Sequence, residues 1–179
     1  MLAELLDMLA YNRWAHERTL AASARLSKDD YERTVGGSFP SLRATLEHLF
    51  LAEAIWISRW NGDASGVVPD ITGAHSPAAL RERWIALWKQ QWAFFGELRD
   101  EDVTRRIAVR TRSGITAEPS LGDTIRHLVN HGSYHRGQAA TLIRRLGSEP
   151  LATDYFLYCL ERDSSRVVTP TLFTPAVTA

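Results

Sequence analysis

The sequence predicts an all-α protein: an antiparallel four-helix bundle with a small β-hairpin before the fourth long helix and a short C-terminal helix. Four long segments carry apolar residues at intervals of three and four, and each has a recognisable helix start or stop signal. The segment between the third and fourth helices instead shows alternating polar and apolar residues on either side of a Ser-Gly turn. Four such helices joined by connections of moderate length pack most economically as a bundle.

The first two predicted helices occupy the N-terminal third of the chain. The first runs from about Leu2 to Leu26 and is followed by a polar break. The second begins near Pro40, a residue suited to the first turn of a helix, and continues to Trp60. The Asn-Gly pair at 61–62 then ends it.

The third helix and the hairpin come next. Ser76 is a suitable N-cap with Pro77 at the first helical position, and the apolar pattern continues to Phe95. Residues 107–116 alternate in polarity around the turn at Gly114, which predicts two short strands rather than a helix.

The fourth long helix has the clearest start signal in the chain. Ser120 and Asp123 form a Ser-x-x-Asp capping pattern, and the helix is expected to extend to Arg145, with Gly147 ending it. A short helix over about 154–162 should complete a single domain spanning 1–162, followed by a C-terminal extension over 163–179.

Composition excludes several classes of function. Lys plus Arg and Asp plus Glu both number 21, so no overall charge favours nucleic acid or an anionic membrane surface. No segment approaches the roughly 18 apolar residues of a membrane-spanning helix. Cys159 is the one cysteine, which rules out an intrachain disulfide and suits a reducing compartment. We therefore expect a soluble, cytoplasmic protein with no nucleic-acid or membrane partner.

Three histidines in the fourth helix form the main chemical signal. His127, His131 and His135 are spaced at i, i+4 and i+8, so their imidazoles lie along one face of the helix, on the side that faces the core. An i,i+4 pair of histidines can bring two ring nitrogens to one metal ion. Such a pair is also common among core or surface residues that bind no metal. Two ligands alone would bind an ion weakly.

A third ligand would have to come from a facing helix. His48 lies in the strongly apolar part of the second helix and is the candidate. Three neutral imidazoles from His48, His131 and His135 would leave the ion's charge uncompensated and one coordination position open, as in catalytic metal sites.

Four further residues are candidates for the lining of this site. His127 is a possible fourth ligand, a group that supports a ligand, or a packing residue. Asn12 and His16 interrupt the core-directed apolar stripe of the first helix, and buried polar groups need partners. Gln138 lies one turn beyond His135 on the ligand face. The sequence therefore suggests a cavity at the metal's open position lined by Asn12, His16 and Gln138, although His16 also suits a surface position.

Other chemistries of helical bundles do not match. A di-iron centre needs repeated Glu-x-x-His, and no Glu stands three residues before a His. A zincin needs His-Glu-x-x-His, and the one His followed by Glu, His16, has Leu20 at the fifth position.

The segment Leu121 to Gln138, with its His-x-x-x-His-x-Gly-Gln ending, resembles the signature helix of the DinB/YfiT-like family of metalloenzymes. The Tyr11-Asn-Arg-Trp14 segment, the second helix with His48 and the hairpin follow the order expected for this family. The resemblance implies a four-helix bundle, commonly dimeric, with one divalent metal ion bound by His48, His131 and His135.

The same resemblance suggests a reaction class without identifying a substrate. The family includes thiol-dependent transferases and an isomerase that uses a low-molecular-weight thiol. We therefore expect a homodimeric, metal-dependent transferase or isomerase acting on a small molecule, with zinc or nickel and a thiol as cofactors. The alternatives are a metal-dependent hydrolase and a non-catalytic metal-binding stress-response protein.

Overall fold

The computed structural model describes residues 1–164 of the 179-residue chain. It consists of four long helices, three short helical segments and a two-stranded hairpin. In chain order these are α1 (Leu2–Ser23), α2 (Lys28–Glu32), α3 (Leu42–Trp60), α4 (Pro77–Gly96), a 3-10 helix (Asp100–Thr104), β1 (Val109–Arg110), β2 (Thr116–Ala117), α5 (Leu121–Arg145) and α6 (Tyr155–Arg162). The predicted all-α bundle with a small hairpin is confirmed.

Ring contacts between the long helices give their relative directions. Phe50 packs against Trp84 and Trp60 packs against Phe95, so α3 and α4 run parallel. In contrast, Trp60 of α3 bonds to Thr124 near the start of α5, whereas His48 meets α5 further along, so these two helices are antiparallel. Antiparallel packing therefore holds for α3 with α5, and the long 61–76 connection returns the chain before α4 begins.

The start of each helix has a local cause. The hydroxyl oxygens of Ser41, Ser76 and Ser120 accept hydrogen bonds from backbone N–H groups in the first turns of α3, α4 and α5. Ser120 also donates to the Asp123 carboxylate over 2.6 Å, as the capping pattern predicts. Helix α3 begins at Leu42 rather than near Pro40, because Ser41 is its cap.

Two boundaries differ from the predictions. Helix α1 ends at Ser23, not Leu26, and the polar break after it contains the short helix α2. Ser27 caps α2 by accepting a hydrogen bond from the Asp30 N–H, and Tyr31 anchors it in the core. The hairpin strands cover only Val109–Arg110 and Thr116–Ala117, although the same register continues in the hydrogen bond from the Ile107 N–H to the Pro119 carbonyl.

Residues beyond 164 lie outside the described part of the chain, and with them most of the predicted 163–179 extension. The predicted end of the domain at residue 162 stays a prediction. Helix α6 ends at Arg162. Among the described residues, no helix is long and apolar enough to cross a membrane.

Candidate metal centre

Three histidines meet at the junction of α3 and α5. His48 comes from α3, and His131 and His135 come from successive turns of α5. One ring nitrogen from each lies within 4.8 Å of the other two, and the Nε2 atoms of His48 and His131 are 3.1 Å apart. The antiparallel pairing of α3 and α5 therefore assembles a cluster that the sequence could only suggest. We call these residues the histidine triad.

Two members of the triad, His48 and His131, are held as neutral imidazoles. Burial and the neighbouring His135 lower the pKa of His48 below its ordinary value. Burial, followed by the proximity of His135 and His48, lowers the pKa of His131 to about 4. Neutral imidazoles offer lone pairs to a cation without first losing a proton, so the site favours metal binding at neutral pH.

A hydrogen bond fixes the orientation of His135. Its Nδ1 lies 2.8 Å from Oε1 of Gln138, one turn further along α5. Since the amide oxygen can only accept, Nδ1 carries the proton and Nε2 is left for the triad. The Gln138 amide in turn donates to the Ser38 hydroxyl over 2.8 Å. Supporting bonds of this kind orient histidine ligands in metal sites.

The loop before α3 covers one side of the triad. The ring of Phe39 is centred 4.5 Å from the ring of His48 and 5.6 Å from that of His135. His48 and His131 remain partly exposed, whereas His135 is buried. Phe39 therefore covers part of the triad, and the partly exposed rings of His48 and His131 leave room for a ligand.

His127 is a neighbour of the triad and not one of the three clustered residues. Its ring is centred 5.8 Å from that of His131 and packs edge-on against Trp56 at 5.2 Å. His75 lies apart, in the loop before α4, against the Arg43 guanidinium.

A second group of polar side chains lies in the centre of the bundle. Glu53 of α3 accepts hydrogen bonds from side chains of α1 and α4: Trp84 Nε1 at 2.8 Å, His16 Nε2 at 3.1 Å, and the Asn12 amide. The Asn12 carbonyl oxygen accepts from Arg136 of α5. We call Asn12, His16, Glu53, Trp84 and Arg136 the central polar network, to which each of the four long helices contributes.

Electrostatics favour the charged form of Glu53 despite its burial. Burial raises the pKa of Glu53, but the hydrogen bonds from His16 and Trp84 and the charge of Arg136 outweigh it, so the pKa lies below its ordinary value. Burial is the largest influence on His16 and lowers its pKa, so His16 is neutral. Its Nδ1 has no hydrogen-bond partner among the described residues.

The structure places the predicted lining residues in two different environments. Gln138 touches the triad through His135, as expected from its position on the helix. Asn12 and His16 are only 2% and 1% exposed. Both side chains form hydrogen bonds with Glu53 and do not line an open cavity. Their proposed contact with a bound ligand stays a prediction.

Sequence reasoning missed several residues around the site. Arg136, to which the sequence pattern assigns no role, is buried at 2% exposure. Glu53 stands in an apolar run, and this interruption was the signal that could have identified it as a buried, partnered carboxylate. No periodic pattern marks Phe39 or Ser38, because both lie in the loop before α3.

The donor set fits a divalent transition-metal ion. Nitrogen ligands about 2.0–2.1 Å from a tetrahedral ion lie roughly 3.3 Å from each other, close to the His48–His131 separation. Three neutral imidazoles suit zinc, nickel and other first-row ions. Fold and site together define a helical-bundle protein with a three-histidine site that could hold one metal ion.

Comparison with known proteins agrees with this class. The family model described as "DinB family" matches residues 1–164, so the chain belongs to the DinB family. It is 26% identical over 155 residues to Protein DinB of Bacillus subtilis (strain 168), covering 83% of this chain and 89% of that protein. The family resemblance read from the signature helix is confirmed.

A solved structure supports the fold. The crystal structure of a DinB-like protein from Bacillus cereus ATCC 10987 matches with a TM-score of 0.65 at 18% sequence identity. The match covers 83% of this chain and 94% of that one. At this identity the similarity establishes a shared fold.

Proposed function

We propose that this protein is a metal-dependent enzyme of the thiol-dependent transferase or isomerase type, with one zinc or nickel ion bound by His48, His131 and His135. The observation that carries the proposal is the convergence of three ring nitrogens within 4.8 Å at a partly exposed site. A divalent ion at this position would lower the pKa of a coordinated thiol and so supply a thiolate nucleophile at neutral pH.

The chain's own residues prepare the site for this role. Gln138 fixes His135 with Nε2 toward the triad, and burial keeps His48 and His131 unprotonated. The Phe39 ring excludes water from one side of the imidazoles. The site therefore offers a preorganised set of neutral donors with an apolar wall beside it.

The arrangement of carboxylates favours thiol chemistry over hydrolysis. A hydrolase needs a general base near the site. Glu47 is paired with Arg43 over 2.7 Å, and Glu53 is 2% exposed and held by the central polar network. Neither carboxylate is free to accept a proton from an attacking water molecule.

Metal analysis tests the ligand set. Protein purified without added metal should contain about one equivalent of a divalent ion, and His131→Ala should contain almost none. His127→Ala is the matched control, because it removes an imidazole one turn away that lies outside the triad. Equal metal content in wild type and His131→Ala would refute the ligand assignment.

Turnover separates an enzyme from a non-catalytic metal-binding protein. The metal-loaded protein should conjugate small thiols to electrophiles, and both chelation and His131→Ala should abolish this activity. A protein that holds its ion but shows no turnover across a broad panel of thiols and electrophiles would instead support a purely metal-binding role.

A further inference from the structure

A cavity of about 230 Å³ adjoins the histidine triad. It lies between the loop before α3 and the last third of α5. Phe39 and Gln138 form part of its wall, and these are the same residues that pack against or hydrogen-bond His135. The cavity therefore lies next to two residues that contact the proposed metal ligands, and no triad histidine is among its lining residues.

The lining of this cavity carries a positive charge. Arg145 lines it, and no Asp or Glu is among its lining residues. Within residues 1–164, the Arg145 guanidinium forms no ion pair with a carboxylate. An uncompensated guanidinium beside a concave surface favours an anionic ligand, and it pairs especially well with a carboxylate.

The loop supplies hydrogen-bond donors beside this cation. The Ser38 oxygen accepts from Gln138, so its own proton remains available to donate. Gly36 and Gly37 have φ values of 77° and 133°, and their N–H groups form no hydrogen bond with the rest of the described chain. These two amides are therefore available to donate to an anion.

We propose that this cavity binds the carboxylate of the thiol substrate or cofactor while its sulfur lies at the histidine triad. The inference rests on the proposed function and extends it to a class of ligand: a thiol that carries an anionic group several bonds from its sulfur. The Cα atom of Arg145 lies about 15 Å beyond that of His135 along α5. The arginine side chain spans part of this length, so the ligand needs a chain of several carbons.

Two probes of equal length test the charge requirement. 6-Mercaptohexanoate and 6-mercaptohexan-1-ol both carry a terminal thiol, and they differ in the charge at the other end. Each is titrated into cobalt-loaded protein at low ionic strength, and the visible spectrum reports binding. We expect the acid to bind more tightly than the alcohol by about three- to fivefold, the size of a partly exposed ion pair.

Two neighbouring arginines provide the matched variants. Arg145→Gln should abolish the preference for the acid while leaving cobalt content and affinity for the alcohol unchanged. Arg144→Gln removes the same charge from the same exposed helix turn but does not line the cavity, so it should retain the preference. Both variants alter exposed side chains and should fold normally.

The outcomes separate the two levels of the proposal. If both thiols bind wild type equally, or if Arg145→Gln keeps the preference that Arg144→Gln shows, the carboxylate subsite is wrong and the metal site still binds thiols. If neither thiol changes the cobalt spectrum, the thiol-dependent function fails and the subsite proposal fails with it.

Discussion

At the scale of single residues, Glu53 shows how the bundle accommodates a buried charge. An ionised carboxylate in a core is costly unless its oxygens are hydrogen-bonded. Here Asn12, His16 and Trp84 all donate to it, and Arg136 supplies a positive charge one side chain away. The polar breaks in the apolar stripe of α1 are therefore the donors that this carboxylate requires.

His16 should make stability depend on pH. Its folded pKa is lowered from 6.5, so below that pH the unfolded chain binds a proton that the native protein does not. Stability of metal-free protein should therefore fall as pH drops below about 6.5. In His16→Gln, which keeps an N–H donor for Glu53, this slope should be smaller by up to about 1.4 kcal/mol per pH unit.

Denaturant unfolding between pH 7 and 5 measures this difference. The window lies above the range in which Glu53 would take up a proton, because its folded pKa is also lowered. His75→Gln, which makes the same substitution in an exposed loop, serves as the control. Identical slopes for wild type and His16→Gln would show that His16 titrates alike in both states.

Residue positions could be predicted where spacing carries the information. His131 and His135 are four residues apart and therefore share one face of the helix. The apolar residues around His48 indicated a core-facing position for it. Arg136 was missed because its environment depends on Asn12, 124 residues earlier in the chain. No pattern within α5 encodes that contact.

At the scale of elements, α5 packs unusually closely against α1. Gly132 lies between His131 and the central polar network, and a Cβ atom there would come within 2.5 Å of the Asn12 Oδ1 and 2.8 Å of an Arg136 nitrogen. Gly137, on the same helix, would place a Cβ in open space. Two glycines in one helix therefore have different reasons to be present.

Alanine at these two glycines should have opposite effects. Gly132→Ala should destabilise the protein by about 1–3 kcal/mol, because the added methyl displaces Asn12 or Arg136 from the network. Gly137→Ala should stabilise it by about 0.5–1 kcal/mol through helix propensity alone. Chemical denaturation of both variants beside wild type is the measurement. Stabilisation by Gly132→Ala would mean that α1 and α5 are less closely packed than described.

Element boundaries were predictable where a capping side chain marks them. Ser76 and Ser120 fixed the starts of α4 and α5, and both caps are made. The short helix α2 was not predicted, because five residues are too few to show a helical periodicity of apolar residues. Its position depends on the burial of Tyr31 in the core, which is a tertiary contact. The direction of α4 relative to α3 also escaped prediction, since it depends on the path of the 61–76 connection.

At the scale of the whole molecule, metal binding should stabilise the fold. The triad joins α3 to α5, so an ion held there binds the folded chain far better than the open one. A free metal concentration 100 times the Kd adds about 2.7 kcal/mol. The Tm of the loaded protein should exceed that of verified metal-free protein by roughly 5–10 °C in a chain of this size. Equal Tm values would mean that the ion does not stabilise the folded protein.

We also propose that the protein is a homodimer. The six tryptophans offer little accessible surface, because five are buried or half-buried and Trp92 is 39% exposed. Other aromatic residues are more accessible: Tyr134 is 64% exposed, Tyr155 45% and Phe156 69%. Exposed aromatic surface of this kind is typical of interfaces.

Light scattering at micromolar concentration tests the dimer. The expected mass is twice the 20.1 kDa of one chain. Phe156→Ser should shift the equilibrium toward monomer, whereas Ile115→Ser, which removes a comparably exposed apolar side chain from the hairpin turn, should not. A wild-type mass of one chain would contradict the proposal.

The central polar network also has a consequence for biosynthesis. A nascent chain that has emerged only as far as the hairpin contains Asn12, His16 and Glu53 but lacks Arg136 and the two triad histidines of α5. Its carboxylate would have no guanidinium near it, and His48 would stand alone, 83 residues ahead of His131. We therefore expect the first two-thirds of the polypeptide, up to the hairpin, to leave the ribosome as a loose helical ensemble. It should become compact, and able to acquire metal, only when the last long helix docks.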